Sequence, residues 1–340
     1  MIQPSIESEA KRVSGFFPDL RNKKVLVSGG AGFLGSWICD ALLINNNRVT
    51  CVDSLYTGLT GNIDHNMGNT NFSFVNADVS KFECSEKFDY IIHMASRASP
   101  EEYQVHPIET LEANSSGSKT MLELARKCDC PILYTSTSEV YGDALVVPTP
   151  EEYWGNVNPN GIRSCYDEAK RYGEALFAAY HRQYGLDTRV IRIFNTYGPR
   201  IRSDGAYARA LPRFCVQALQ GKDITVFGDG KQTRSFCFVS DTVRGLLLAL
   251  TRKQAQGEFI NIGNPYEITI LELAKKIKEA AKSSSNIVFR ELPKDDPRRR
   301  CPVIKKAQNL LGWRPEVDLE KGLSATVEWF RQGLQKSDDD

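Results

Sequence analysis

The sequence predicts an α/β protein with a doubly wound parallel sheet and a smaller C-terminal α/β lobe. From Lys24 to Arg192, short β-branched runs alternate with segments of helical periodicity, as in βαβ units whose sheet is covered on both faces. A glycine-rich turn follows the first run and opens a helix. The regular alternation then stops after Gly198, where Gly, Pro and Arg punctuate shorter elements. We therefore expect a large sheet domain followed by a separate lobe.

Seven apolar runs are predicted as strands of the main sheet, the last of them rejoining it from the lobe: residues 25–27, 49–52, 72–75, 90–92, 132–134, 188–192 and 257–262. Helices are predicted for residues 36–45, 107–127, 166–184, 269–281 and 322–330. The helix at 269–281 has a start signal, because Thr269 followed by Glu272 forms a capping-box pattern.

Composition excludes several classes of protein. The 340 residues are 41% hydrophobic and 25% charged, which is typical of a globular chain. Because 43 Lys and Arg nearly balance 42 Asp and Glu, we expect neither nucleic acid nor a membrane surface as a partner. The first residues lack the apolar core of a signal peptide and no stretch approaches a membrane span, so a cytoplasmic location is expected.

The nine cysteines indicate free thiols in a reducing compartment. Several of them, such as Cys39 and Cys237, lie in apolar or motif-rich runs that are typical of buried positions. Cys128 and Cys130 are too closely spaced, and too far from any His, for a zinc site. We expect no metal.

The glycine loop predicts a dinucleotide site of the Rossmann type. Gly29 would form the tight turn, Gly32 would let the backbone approach a pyrophosphate, and Gly35 would let the helix pack on the sheet. The alternative is a glycine-rich loop without a ligand. Asp53 ends the second strand, where a carboxylate takes the adenosine ribose hydroxyls and repels a 2′-phosphate, so NAD is favoured over NADP. Asp78 could reach the adenine or simply stabilise a turn.

The sequence predicts a division of the chain into four parts. Residues 1–20 form an N-terminal arm, and residues 21–197 form the NAD-binding domain, to which 241–263 return. Residues 198–240 and 264–335 form the substrate-binding lobe, and 336–340 form a solvated tail.

A tyrosine and a lysine supply the predicted chemistry. Tyr166 and Lys170 are four residues apart on a predicted helix and therefore share a face. An adjacent ammonium and a cationic nicotinamide would lower the pKa of the phenol and make Tyr166 a usable base. Thr137 would hydrogen-bond the sugar hydroxyl from which Tyr166 removes the proton. The predicted first step is proton removal from a sugar hydroxyl with hydride transfer to NAD.

Several motifs together resemble those of the extended short-chain dehydrogenases/reductases that act on nucleotide sugars. They are the glycine loop, residues 93–95, 136–142, the Tyr166 and Lys170 motif, and 195–200. Residues 153–159, 163–168 and 228–236 look like those of UDP-glucuronate decarboxylases, or UDP-xylose synthases. The resemblance covers residues 24–330 and implies a carboxy-lyase that converts UDP-glucuronate into UDP-xylose through a 4-keto intermediate, with NAD regenerated in each turnover.

The resemblance also implies roles for particular residues. It adds to the cofactor site Phe33, Leu34, Val79, Ala95 and Asn114. It assigns to the UDP-sugar Tyr103, Ser138, Asn195, Arg200, Arg213, Gln232, Arg234 and Arg300, and we add Arg97 as a candidate although it departs from the pattern. In this assignment Arg234 and Arg300 grip the diphosphate, Gln232 lies at the uridine ribose and Asn195 lies near the sugar–phosphate junction. A homodimer through a four-helix bundle of residues 107–127 and 166–184 is implied as well.

Ser138 and Glu139 discriminate among the related reactions. Related 4,6-dehydratases have an acid at the position of Ser138, and a serine hydroxyl is far too weak to replace it. Related 4-epimerases have small residues at both positions, so Glu139 favours chemistry at C5. Decarboxylation of the β-keto acid is the leading hypothesis, with Glu139 positioning the sugar and either water or Tyr166 protonating C5. A hexuronate 4-epimerase, a 4,6-dehydratase and a non-catalytic NAD-binding scaffold remain as alternatives.

The predicted lobe is rich in cations suited to an anionic substrate. They are Arg200, Arg202, Arg213, Arg234, Arg298, Arg299 and Arg300. Each of them could instead be a solvated surface charge. Arg97 departs from the decarboxylase pattern, which has proline there, and could meet the substrate carboxylate or point outward. Val303 and the segment 205–214 also depart from that pattern, which leaves the exact sugar open.

Overall fold

A computed structural model describes residues 4–203, 209–291 and 299–339, with side chains from residue 5 to residue 335. In chain order its strands are β1 (Lys24–Ser28), β2 (Arg48–Asp53), β3 (Phe72–Asn76), β4 (Tyr90–His93), β5 (Ile132–Thr137), β6 (Thr188–Ile193), β7 (Thr196–Tyr197), β8 (Ile224–Phe227), β9 (Thr233–Ser235), β10 (Cys237–Phe238), β11 (Phe259–Ile262), β12 (Glu267–Thr269), β13 (Ile287–Arg290) and β14 (Arg299–Arg300). Its helices are α1 (Pro4–Gly15), α2 (Phe33–Ile44), α3 (Pro100–Val105), α4 (Pro107–Asn114), α5 (Ser116–Cys128), α6 (Ser164–Tyr184), α7 (Ala210–Leu219), α8 (Val239–Thr251), α9 (Ile270–Ala281), α10 (Lys305–Leu311) and α11 (Leu319–Asp339).

The predicted doubly wound parallel sheet is confirmed. It has seven strands in the order β11-β6-β5-β4-β1-β2-β3, and every pair in it is parallel. The order reverses at β1, which lies between β4 and β2. In such sheets ligands bind outside the carboxyl ends of the strands at this reversal.

Helices cover both faces of the sheet, which explains why β1 carries consecutive apolar side chains. Val25 and Val27 pack into the core formed with α1, α2 and α8, whereas Leu26 between them packs into the opposite core with α5 and α6. This is the alternation that the two-residue period of a strand imposes. All three side chains are fully buried. The sheet is therefore a rigid base for the loops at its carboxyl edge.

The helix predicted at 107–127 is two helices, α4 and α5. The Ser115 hydroxyl donates a hydrogen bond to the Leu111 carbonyl at 2.6 Å, a back-bond that bends helices. Just beyond the bend, a Cβ on Gly117 would lie 2.6 Å from a methyl group of Val79. The break lets α5 approach the segment after β3 closely, and periodicity alone could not reveal it.

The first twenty residues, expected as an arm, contribute a packed helix where they are described. Ile6 and Val13 of α1 are buried in the core that also contains α2 and α8. Arg12 donates a 2.8 Å hydrogen bond to the Ser240 hydroxyl at the start of α8. At the other end of the chain α11 continues to Asp339, so part of the expected tail is helical.

The lobe consists of small sheets and the helices α7, α9, α10 and α11. β13 pairs with β8, and a second sheet has the order β12-β9-β14. The capping box predicted at Thr269 is present, with its hydroxyl accepting a 3.1 Å hydrogen bond from the Glu272 backbone amide. Arg298, one of the expected substrate cations, lies outside the described residues.

Candidate active site

A cavity of about 430 Å³ lies at the carboxyl ends of the strands around β1. Its lining includes nearly all of the residues predicted to bind the cofactor: Gly29, Gly32, Phe33, Leu34, Gly35, Asp53, Asp78, Val79 and Ala95. It also includes the four residues predicted to be catalytic: Thr137, Glu139, Tyr166 and Lys170. The fold thus brings two distant stretches of sequence to one cavity.

The glycine loop is shaped for close approach. Gly29 has a φ of 75°, a left-handed value that favours glycine, and a Cβ there would lie 2.8 Å from the Ala95 backbone nitrogen. A Cβ on Gly35 would lie 2.2 Å from the Gly29 carbonyl oxygen, so the first turn of α2 can pack on the loop only with glycine at this position. The N-terminus of α2 therefore faces the cavity with free backbone amides, which suits a pyrophosphate.

Asp53, predicted to hold the adenosine ribose, lies in the cavity beside this loop. Its carboxylate accepts backbone hydrogen bonds from Ala31 at 3.0 Å and Leu55 at 2.9 Å. Burial raises its pKa, and the two hydrogen bonds lower it in part. A Cβ on Gly58 would lie 2.7 Å from this carboxylate, so the following loop also closes on it. Together with the glycine loop, this carboxylate beside the cavity fits the ribose of NAD.

Of two further residues predicted to bind the cofactor, Asp78 lines the cavity and Asn114 does not. Asp78 lines the cavity, and its carboxylate also accepts a hydrogen bond from the Ser80 backbone amide at 2.9 Å, so it stabilises the turn as well. Asn114 is not among the cavity-lining residues. Its amide donates a 2.9 Å hydrogen bond to the Ser96 hydroxyl, which does line the cavity. Asn114 thus supports the wall from behind.

The predicted catalytic pair is buried at the base of the cavity. Lys170 donates a 2.9 Å hydrogen bond to the Thr135 carbonyl, and its Nζ lies 5.9 Å from the centroid of the Tyr166 ring. Burial lowers the pKa of Lys170 to about 7, although Glu174 opposes this change. Both side chains come from α6, one turn apart, and Thr137 comes from the end of β5.

The expectation that Lys170 lowers the pKa of Tyr166 is not met by the chain alone. Burial raises the pKa of Tyr166 to about 12, against the lowering effects of Arg209 and of a hydrogen bond from Thr137. At neutral pH the phenol is therefore protonated. The cationic nicotinamide ring, rather than Lys170, is left to favour the phenolate.

Glu139 lies between two arginines. Arg300 from β14 forms a bidentate ion pair with the carboxylate, in which Nη2 lies 2.6 Å from Oε2. Arg163 at the start of α6 contacts the same Oε2 oxygen. Burial raises the pKa of Glu139, but Arg300 and Arg163 outweigh burial and bring it down to about 2. Glu139 is therefore ionised throughout the physiological range. Arg300, expected at the substrate diphosphate, pairs here with Glu139 of the cavity lining, and its contact with the diphosphate stays a prediction.

A second carboxyl belongs to this cluster. Asp167 Oδ2 lies 3.6 Å from Arg163 Nε, and its Oδ1 is buried without a hydrogen-bond partner among the described residues. Burial and the negative charge of Glu139 raise the pKa of Asp167 to about 7. Arg163 and Asp167 lie in the decarboxylase-like motif 163–168, but no role was predicted for either of them. Their spacing of four residues at the start of a helix was the available signal.

Arg200 is not at the cavity. It is buried and pairs with Asp40 of α2 at 2.7 Å, with its guanidinium 5.6 Å from the Trp37 ring centroid. Burial raises the pKa of Asp40, but His65 and Arg200 outweigh burial and lower it. Arg200 therefore joins the 198–203 segment to α2 and does not line the cavity, so its expected contact with the substrate stays a prediction that this pairing does not support.

The remaining residues expected at the substrate divide into two groups. Ser138 and Asn195 line the cavity. Outside its lining are Tyr103, Arg213, Gln232 and Arg234. Tyr103 stacks face to face on Tyr166, with ring centroids 5.0 Å apart, so it contacts a catalytic residue rather than the cavity. Gln232 donates a hydrogen bond to the Phe227 carbonyl at 2.8 Å in the lobe.

Arg97 and Arg209 provide positive charge at the cavity rim. Arg97 points inward and not to solvent, since it is 7% exposed and lines the cavity. Arg209, which the sequence analysis did not single out, also lines it and donates a 2.6 Å hydrogen bond to the Ala98 carbonyl. Nothing in the local sequence around Arg209 marks it, because it reaches the cavity through the packing of the lobe.

Two kinds of feature are absent from the described residues. None of the helices in that part of the chain is both long and apolar enough to cross a bilayer. Within the same residues, no three His, Cys, Asp or Glu side chains are grouped as a metal ion would require.

The parallel sheet, the glycine loop and the Tyr166 and Lys170 pair define a dinucleotide-dependent enzyme of the Rossmann class. The chain belongs to the NAD dependent epimerase/dehydratase family, whose model matches residues 25–263. Its cofactor is NAD.

Individual relatives agree with this family. The chain is 46% identical over 321 residues to UDP-glucuronic acid decarboxylase 1 of Xenopus tropicalis, covering 94% of this chain and 75% of that protein. It is 48% identical over 314 residues to UDP-glucuronic acid decarboxylase 5 of Arabidopsis thaliana, covering 92% and 91%. A solved UDP-glucuronic acid 4-epimerase of Bacillus cereus, in complex with UDP-glucuronic acid and NAD, is 30% identical with a TM-score of 0.83, covering 91% and 99%.

Proposed function

We propose that this chain is an NAD-dependent carboxy-lyase that converts UDP-glucuronate into UDP-xylose. The observation that carries the proposal is the ionised Glu139, held by two arginines beside Ser138 at the sugar end of the cavity. Elimination of water would need an acid at position 138, and serine cannot supply it. The decarboxylase relatives, at 46–48% identity, support the same reaction.

NAD would supply the redox chemistry of the site. When bound, NAD accepts a hydride from C4 of the sugar and returns it after carbon dioxide has left. Gly29, Gly32 and Gly35 would hold its pyrophosphate, and Asp53 would hold the adenosine ribose.

Tyr166 handles the proton of the C4 hydroxyl in the proposed mechanism. It takes this proton as the C4 ketone forms and gives one back when the ketone is reduced. Thr137 hydrogen-bonds the phenol and lowers its pKa, which favours transfer. With C4 a ketone, the C5 carboxylate is a β-keto acid: its bond to C5 breaks, carbon dioxide leaves, and the electron pair forms an enolate.

C5 must then gain a proton, so the net reaction takes up one proton for each carbon dioxide released. Glu139 cannot supply it, because a carboxyl with a pKa of about 2 carries no proton at neutral pH. Water and Tyr166 remain as donors. We assign Glu139 to holding Arg300 and Arg163 in place. The two cations then lie toward the region where the negative charge of the sugar carboxylate passes to the enolate as carbon dioxide leaves.

Product mass tests the proposal directly. We would incubate the protein with UDP-glucuronate and expect a UDP-pentose lighter by carbon dioxide. A product of unchanged mass would indicate a 4-epimerase, and loss of water would indicate a dehydratase. Either outcome would refute decarboxylation.

Tyr166→Phe tests whether the site is catalytic. Turnover should fall by about 10³-fold, because the proton on the C4 hydroxyl loses its acceptor, while NAD binding changes little. The Tyr184→Phe variant is the matched control, because it removes a phenol from the exposed end of the same helix. Undiminished turnover in Tyr166→Phe would contradict the assigned role and support a different base.

We further propose a homodimer that pairs α4 and α6 of each copy. Exposed apolar side chains on these helices support it: Ile108 is 62% exposed, and Leu111 and Tyr172 are also exposed. Sedimentation velocity should give twice the chain mass for the unaltered protein and the single chain mass for Ile108→Glu. A monomeric unaltered protein would refute the dimer.

The cysteines support a reducing, cytoplasmic location as a proposal. All nine are free thiols, and seven of them are buried. Such usage is typical of reducing compartments. Recovery of the protein with the cytosolic fraction of its cells would agree with this location, and recovery with an oxidising compartment would refute it.

A further inference from the structure

A contact between Arg97 and Tyr56 joins two loops at the cavity mouth. The Arg97 guanidinium lies over the Tyr56 ring, 4.6 Å from its centroid. Both residues line the cavity, but Arg97 is buried whereas Tyr56 is 64% exposed. Neither the glycine loop nor the Tyr166 and Lys170 pair makes this contact, so the catalytic assignment does not account for it.

Sheet topology shows what the contact spans. Tyr56 follows β2 and Arg97 follows β4, and β1 lies between these two strands. The glycine loop follows β1. The contact therefore passes across the carboxyl end of β1, on the side where the N-terminus of α2 faces the cavity.

Both ends of the contact are anchored. Arg97 pairs with Glu102 of α3, a side chain that is itself 13% exposed. The loop that carries Tyr56 is held by Arg202, which donates a 3.0 Å hydrogen bond to the Thr57 carbonyl. Tyr56 itself is mostly exposed, and the guanidinium lies over its ring. A cation held against an aromatic face in this way is attracted by the ring quadrupole.

We infer that Arg97 and Tyr56 form a strap over the glycine loop that retains NAD between turnovers by covering its pyrophosphate. The guanidinium suits this position because it can attract the two phosphates while it stacks on the ring. Slow release of the cofactor agrees with the proposed function, in which NAD is regenerated in each cycle. The strap itself depends on NAD and not on the identity of the sugar.

Cofactor release tests the strap without any sugar. The protein is loaded with radiolabelled NAD and chased with excess unlabelled NAD, and retained label is followed with time. Tyr56→Ala should speed release about tenfold, the factor that about 1.4 kcal/mol of lost cation–ring attraction gives. Arg97→Ala should speed release at least as much, because it also removes the attraction of the guanidinium to the phosphates. The double variant should release no faster than the faster single variant, because both substitutions remove one contact.

Two further variants separate the strap from general effects. Tyr56→Phe keeps the ring and should release NAD within about twofold of the unaltered rate. Arg126→Ala removes a cation–ring pair on the surface, 5.3 Å from the Tyr184 centroid, and should not change release. Since Tyr56 is exposed, Tyr56→Ala remains informative even where Arg97→Ala fails to fold.

The outcomes are distinct. Unchanged release in Tyr56→Ala overturns the strap, whatever Arg97→Ala does, because the ring is then not needed. Additive effects in the double variant overturn it as well. Because UDP-sugar is absent from the assay, a failed strap leaves the product-mass test of the proposed reaction untouched.

Discussion

Replacing Glu139 by Gln should destabilise the fold in a way that depends on pH. The carboxylate sits between Arg300 and Arg163, and the two guanidiniums outweigh its burial to lower its pKa from 4.5 to about 2. This difference corresponds to about 3 kcal/mol of stabilisation by the charged form. Glutamine keeps the shape of the side chain but removes the negative charge that both arginines share, so that Arg163 keeps only Asp167 as a counter-ion among the described residues.

The sign of the pH dependence follows from the lowered pKa. A carboxyl whose pKa is lowered by folding stabilises the folded state fully above its unfolded pKa of about 4.5, and this contribution is lost as pH falls toward 2. The difference between the unaltered protein and Glu139→Gln should therefore be largest at neutral pH. Less than half of it should remain at pH 3.

Asp167 reduces the loss of stability expected for Glu139→Gln. The charge on Glu139 is one cause, after burial, of the raised pKa of Asp167. Without that charge Asp167 ionises more readily beside Arg163 and replaces part of the lost counter-charge. The measured loss at neutral pH should consequently be about 1–3 kcal/mol rather than the full value.

Urea unfolding between pH 7 and pH 3 is the assay, with Glu112→Gln as the control because Glu112 is an exposed carboxylate at the same cavity. A difference in unfolding free energy that is constant with pH would refute the reasoning. So would a loss as small as that of the control.

Three other predictions concern neighbouring features. Because the pKa of Asp167 is raised to about 7 by burial and by Glu139, its ionisation opposes folding as pH rises from about 4 to 7, so Asp167→Asn should gain stability relative to the unaltered protein over that range in urea titrations. Asp40→Asn leaves the buried Arg200 without its partner and should cost about 3 kcal/mol in unfolding free energy. KM for UDP-glucuronate should stay within about twofold, and a larger rise in KM would show that Arg200 contributes to substrate binding. Gly35→Ala places a methyl group 2.2 Å from a loop carbonyl and should abolish NAD retention on gel filtration, whereas Gly61→Ala, with nothing within 4 Å, should retain NAD.

The sequence by itself determined the parts of this protein that depend on local order. The parallel sheet followed from apolar runs at βαβ spacing, and the glycine loop followed from its place between a strand and a helix. Tyr166 and Lys170 share a helix face because they are four residues apart. In each case the physical cause lies within a few residues of chain.

Tertiary structure alone decided the charges around Glu139 in the cavity. Arg300 is 161 residues from Glu139, and only the packing of the lobe brings the two together. Arg200 carries the same guanidinium but is buried against Asp40, 160 residues away, and does not line the cavity. Sequence patterns identify a cation, whereas its partner is set by long-range packing, because burial makes an unpaired charge too costly.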